Sequence, residues 1–297
     1  MKISSLIGFV KNKFVFKILS ALLAAALGST LHLAHAGTVS VSNYPLALLS
    51  NAVTKGVADA EVLLGTGDVG HHGELSPSGV KQVQDSDFVV WFGASLEQNL
   101  VNALSSAPNA IALLEFDAFE RLPLRYVDGR AQADSLDTHL WLEPENAKAI
   151  VRALAVIHSY ANPQNAVQYA KNAAEFERRM DRAVASVNRT KILPYWAYHD
   201  AYQYLERAAG LKFQGALTPD HHLAPKASQL KFLGDNRPQS VMCLAAQGKV
   251  SNGIRSKLGK LNVVVRQEDM SDGDEFIATW QALVSDLRAC ASGKLLD

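Results

Sequence analysis

From Thr38 onward, short apolar runs alternate with stretches in which apolar residues recur every three or four positions. "TVSVSNYPLALLSNAVTKG" sets a strand pattern ahead of a helix, and "EVLL" reads as a second strand. After the turn "DVGHHGEL", Ser76 is placed to cap a helix whose first residue is Pro77, in "SPSGVKQVQDS". A hydroxyl at the cap satisfies an orphan amide, and proline at the first helical position has no N–H to lose. Strand "DFVVWFG", helix "SLEQNLVNALSS" and strand "AIALLEF" follow. Strands alternating with helices predict a parallel sheet with crossover helices.

The polar, aperiodic "YVDGRAQADSLD" reads as a loop, and "HLWLEPENAKAIVRALAVIHSYA" restarts a helix at Pro144. Between Pro163 and Lys191, Ala166, Tyr169, Ala173, Phe176, Met180, Val184 and Val187 recur at helical spacing, with charges between them and no glycine to interrupt. This is one long amphipathic helix. Its alanine-rich stripe keeps no strict heptad, so it is expected to pack within the chain rather than form a coiled coil.

Alternation then resumes through "ILPYWAYHD", helix "AYQYLERAAG" ended by Gly210, helix "KASQLKFLGD", strand "SVMCLA", helix "KVSNGIRSKLG", strand "LNVVV" and helix "DEFIATWQALVSDLRACA". The expected fold is α/β: two lobes, each a mainly parallel sheet flanked by helices, joined by one long backbone helix. The boundaries read as 37–162 for the first lobe, 163–190 for the linking helix and 191–297 for the second lobe. A continuous helix between lobes predicts only small closure on binding a ligand.

The N-terminus changes this picture by adding a segment outside the fold. "MKISSLIGFVKNKFVFK" carries four lysines and no acid, and an apolar, alanine-rich stretch leads to Ala34-His35-Ala36. That is the form of a secretory signal peptide over residues 1–36, with cleavage after Ala36 and export to a periplasm. A retained anchor over Phe14 to Leu31 is the rival; the immediate Ala-x-Ala site and the lack of a Trp or Tyr belt count against it. Removing 36 of the 297 residues takes away four of 29 basic side chains and none of 29 acidic ones. The mature chain is mildly acidic, with no basic patch of the kind that binds nucleic acid. Its only cysteines, Cys243 and Cys290, are expected to form one disulfide in an oxidising compartment; their wide separation and the lack of C-x-x-C disfavour a thiolate metal site.

In open parallel sheets, ligands bind beyond the carboxyl ends of strands. His71 and His72 follow "EVLL", His199 and Asp200 follow "ILPYWAY", and Glu268 and Asp269 follow "NVVVRQ". His139 opens "HLWLEP" between a loop and a helix. A single strand-end histidine more commonly serves as a hydrogen-bonded structural residue. Three in matched places, with a carboxylate available, suit a divalent ion such as zinc, although no local motif such as H-E-x-x-H is present.

These residues carry a resemblance. "HLWLEP" at His139 to Pro144, "HDAYQYLERAAGL" at His199 to Leu211, and the histidine turn followed by "LSPSGVKQVQDSDFVVWFG" are similar to the periplasmic zinc-binding proteins of ABC transporters, a cluster that also holds manganese-binding relatives. The resemblance runs through nearly the whole mature chain. It implies two α/β lobes tied by a backbone helix with the metal between them. It also implies His71 as first ligand, six residues before Pro77, then His139 and His199. A histidine at the third position, where manganese-type relatives tend to place a carboxylate, implies zinc. Asp269 is the best match for the fourth ligand, with Glu268, Asp272 or water as alternatives.

Three departures qualify it. The final acidic motif reads "EDMSDGDEF" rather than Asp-Pro followed by Gly; "CLAAQGK" stands where Glu-Pro-Gln is usual; and "VDGRAQADSLD" is short and lacks the histidines of many zinc-type loops. A single tight site is therefore expected, loaded by another periplasmic protein. His72, His221 and His222 have no primary-ligand counterpart, His158 reads as packed or exposed in a helix, and Asp200 as a ligand-orienting or solvated group. Trp141, Trp196 and Tyr198 are expected to pack around the ligands. The resulting expectation is a non-enzymatic, monomeric periplasmic carrier that captures Zn2+ and hands it to an inner-membrane ABC permease. A manganese or iron carrier and a zinc-dependent hydrolase are the alternatives.

Overall fold

A computed structural model describes residues 37–66, 75–219 and 223–295. The expected signal peptide, His71, His72, His221 and His222 lie outside the described residues.

In the first lobe, β1 (Val39–Val41), β2 (Glu61–Val62), β3 (Phe88–Trp91) and β4 (Ala110–Ala112) form a parallel sheet in the order β2-β1-β3-β4. Helix α1 (Tyr44–Thr54) follows β1, and α2 (Pro77–Asp85) precedes β3. Both starts are chemically marked: Asn43 Oδ1 accepts from the Leu46 amide at 3.2 Å and Ser76 Oγ from the Gly79 amide at 3.1 Å. Helix α3 (Pro144–Ala161) begins at its proline, with Glu143 accepting from the Asn146 amide.

After a 3-10 turn at Pro163–Asn165, the long helix α4 runs over Ala166–Ser186, ending short of the expected Lys191. Its buried stripe is Tyr169, Ala173, Phe176, Met180 and Ala183. The second lobe repeats the first lobe's strand order: β5 (Leu193–His199), β6 (Leu211–Thr218), β7 (Met242–Ala246) and β8 (Leu261–Val265) are arranged β6-β5-β7-β8, again parallel. Helices α5 (Ala227–Asp235), α6 (Asn252–Leu258) and α7 (Phe276–Ala291) complete it. Among the described residues, no helix is long and apolar enough to cross a membrane.

One hydrophobic core runs through both lobes, from Val41, Leu46 and Phe92 through Trp141 and Phe176 to Tyr195, Phe276 and Trp280. Polar bonds also join the first lobe to the second. Trp280 Nε1 donates to the Leu142 carbonyl at 3.1 Å, and the Tyr44 hydroxyl to the Gly273 carbonyl at 2.8 Å. Cys243 of β7 and Cys290 of α7 form the expected disulfide, with both residues fully buried.

Three elements differ from the sequence pattern. The expected helix over "SLEQNLVNALSS" is reduced to a 3-10 turn at Gln98–Leu100 and one α-turn at Val101–Leu104. Glu97 is drawn inward, its carboxylate accepting from the Phe92 amide and from Asn43 Nδ2, both at 2.7 Å, after a glycine at φ +118°. "AIALLEF" yields three strand residues and then a 3-10 turn at Leu113–Glu115. Strand β6 was not expected. Lys212, Gln214 and Gly215 break its apolar run, and Gly215 at φ +127° lies near a register shift against β5.

Candidate metal centre

Strand alternation decides which residues of "LPYWAYH" reach the centre. Tyr195, Ala197 and His199 lie on the core face of β5, with His199 as its last residue. Trp196 and Tyr198 point to the opposite face, into a separate cluster with Leu217, Leu233 and Met242, where the Arg237 guanidinium lies 5.0 Å from the Trp196 ring. The expectation that these two pack around the ligands is therefore corrected by the two-residue period of a strand. Trp141 does pack there: its ring meets His139 edge-on at 5.6 Å, and its Nε1 donates to the Glu268 carbonyl at 2.9 Å.

His139 sits immediately before the 3-10 turn Leu140–Leu142. Asp137 Oδ1 holds both its Nδ1, at 2.8 Å, and its backbone amide, at 3.1 Å. That bond occupies one ring nitrogen and turns Nε2 toward the centre. Glu268 lies three residues beyond the end of β8.

Ligand atoms of His139, His199 and Glu268 all lie within 4.8 Å of one another, and all three residues are buried. The His139 and His199 rings are 5.4 Å apart, and His199 Nε2 is 4.0 Å from Glu268 Oε1. Donors around a tetrahedral zinc stand about 3.3 Å apart at ordinary bond lengths, so movements of about an ångström would close this group on an ion.

Burial alone would lower the pKa of His139, but the charge and hydrogen bond of Asp137, helped by Glu268, raise it. Burial raises that of Glu268, opposed in part by His139. Two imidazoles and a carboxylate gathered out of water, with Asp137 behind one imidazole, are suited to holding a divalent cation.

The other candidates are placed elsewhere. Asp269 accepts from Ser271 Oγ at 2.6 Å and from the Ser271 amide at 3.0 Å, and among the described residues it is not one of the three grouped side chains. Asp272 pairs with Arg266 at 2.8 Å. Asp200 is not solvated: its side chain is nearly buried, and Arg125 grips it through two bonds of 2.7 Å. His158 is buried, with Nε2 2.8 Å from Ser50 Oγ, and loss of solvation pushes its pKa down to about 4. Sequence reasoning missed Asp137, whose signal was a carboxylate two residues before the histidine in "DTH", and Arg125.

The description of periplasmic component A of the zinc-uptake complex, ZnuA, matches residues 39–288. The chain belongs to the ZnuA family. The family is described as the periplasmic component A of a zinc-uptake complex. The high-affinity zinc uptake system protein ZnuA of Brucella suis is 24% identical over 337 residues, covering 95% of this chain and all of that one. In fold, a crystal structure of ZnuA superposes with a TM-score of 0.70 at 19% identity, over 86% of this chain and 99% of the other. Zn(II)-bound AdcA from Streptococcus pneumoniae gives 0.66 at 21% identity; the match covers 88% of this chain and 59% of the longer AdcA chain.

Proposed function

We propose that this ZnuA-family chain captures Zn2+ in the cleft between its lobes and delivers it to an inner-membrane ABC permease. The observation that supports this most is the buried group His139, His199 and Glu268, which joins a residue preceding α3 to two residues at strand ends of the second sheet. The ligand set is His71, His139, His199 and a carboxylate. Glu268 takes the place that motif matching gives to Asp269, because its oxygen faces both imidazoles while Asp269 is turned onto Ser271.

Asp137 fixes the His139 tautomer and raises its basicity, which strengthens its bond to the ion. Imidazole-rich coordination favours zinc over manganese. A buried carboxylate that completes four ligands leaves no open position for substrate, which favours carriage over hydrolysis. The mature chain, cut after Ala36, acts as a periplasmic monomer, with a second periplasmic protein supplying the ion.

Elemental analysis of protein purified after growth in mixed metals tests this reading. Stoichiometric zinc, lost in His139→Ala and Glu268→Ala, is the expected result. Manganese in place of zinc, or retention of the metal by both variants, would overturn it.

A further inference from the structure

The loop over residues 120–138 begins and ends beside the first lobe, yet its middle lies on the second. The Leu122 amide donates to the Tyr204 hydroxyl at 2.9 Å, and that hydroxyl donates to the Asp137 carbonyl at 2.9 Å. Gln203 Nε2 reaches the Pro123 carbonyl at 3.0 Å. The Ala216 amide of β6 donates to the Val127 carbonyl at 2.9 Å, so the loop rests against the edge strand of the second sheet. Gly129 approaches the Phe213 ring so closely that a Cβ there would stand 3.4 Å from it. The same loop delivers Asp137 and then His139.

At its centre, Arg125 makes two 2.7 Å bonds to Asp200, from Nε to Oδ2 and from Nη2 to Oδ1, and a 2.6 Å bond from Nη2 to Glu206 Oε1. Glu206 Oε1 also accepts from the Tyr195 hydroxyl at 2.9 Å, and the guanidinium lies 4.2 Å from the centre of the Phe213 ring. The side chains of Arg125, Asp200 and Glu206 keep 13%, 10% and 19% of their exposure, so solvent screens these bonds little. Asp200 directly follows His199, and a turn from the Ala201 amide to the His199 carbonyl holds the two together.

We infer that Arg125 is a positioning residue for the metal site, holding His199 in place through Asp200 and His139 through the loop. This rests on the proposed zinc-binding reading. A fork with two parallel bonds sets the orientation of a carboxylate, as an ammonium cannot. The guanidinium also balances two neighbouring buried carboxylates of the second lobe that would otherwise be left uncompensated. With both histidines held before the ion arrives, less ordering opposes binding, and an ion once held leaves slowly.

The test compares wild type, Arg125→Met and Arg125→Lys as mature proteins with thermal unfolding recorded for each. Three quantities are read: zinc release into excess chelator, the visible absorption of the Co2+-substituted protein, and amide exchange at Ala216 in the metal-free protein. Arg125→Met is expected to release zinc at least tenfold faster, to shift the Co2+ bands and to raise Ala216 exchange at least tenfold, with exchange within α3 unchanged. Arg125→Lys keeps the charge without the fork and is expected to show the same changes at about a third of that size or more. Full recovery by lysine would overturn the inference, as would wild-type release, spectra and exchange in both folded variants. Should Arg125→Met fail to fold, the lysine variant decides alone. A wild-type protein that takes up no zinc would sink the functional reading; a zinc-binding wild type with unaffected variants would sink only the role of Arg125.

Discussion

Asp137 shows how a residue that need not touch the ion shapes the proposed centre. Its carboxylate selects the His139 tautomer and holds the ring, so Asp137→Asn should weaken zinc binding by about 10- to 100-fold with little loss of fold, measured by competition with a chromophoric chelator. His158 offers a separate reading of burial. Its pKa falls from 6.5 to about 4, so the folded state holds the ring neutral where the unfolded chain would protonate it. The associated stability is complete above about pH 6.5 and is lost as pH falls through about 4, a total of about 3 kcal/mol. Denaturant unfolding of the metal-free protein should show that slope, and His158→Gln should flatten it. His199 stood out in the sequence because it ends an apolar strand, and His139 because it opens "HLWLEP" before a helix. That Glu268 rather than Asp269 lies beside His139 and His199 was not readable, because adjacent side chains in a turn point in different directions that no residue pattern encodes.

Elements with strong local chemistry were readable: Ser76 at a helix start, Pro144 opening α3, and the stripe of α4. Where tertiary contacts override local pattern, the sequence misleads. The amphipathic "SLEQNLVNALSS" suggests a full helix, but burying Glu97 against the Phe92 amide and Asn43 shortens it. Strand β6 was hidden by Lys212, Gln214 and Gly215, since an edge strand can leave some side chains in water. The disulfide was predictable from compartment and number, and it ties β7 to α7 across 47 residues of sequence. Loop-closure entropy for that length is worth about 4 kcal/mol, so replacing both cysteines with alanine should lower unfolding stability by a large part of that amount. Chemical unfolding with zinc removed measures it without the contribution of a bound ion.

At the scale of the molecule, the two sheets repeat one strand order, and a shared core with Trp280–Leu142 and Tyr44–Gly273 bonds spans both. The alternation of strands and helices made this architecture legible, whereas the loop that laps from one lobe onto the other carries no periodic signal. Such cross-bracing should confine any response to zinc to small displacements. A chain of this size has a radius of gyration of about 18 Å, and X-ray scattering of the metal-free and zinc-bound forms should differ by less than about 1 Å. A larger change would mean that the lobes swing apart despite the continuous core.

The proposed capture of one Zn2+ by His139, His199 and Glu268 with His71 is tested most directly by calorimetric titration of the metal-free mature protein with zinc, alongside His139→Ala and His199→Ala. One tight equivalent for the wild type, and at least a hundredfold weaker binding in each variant, is the predicted result. No tight equivalent in the wild type, or undiminished binding in both variants, would contradict the account.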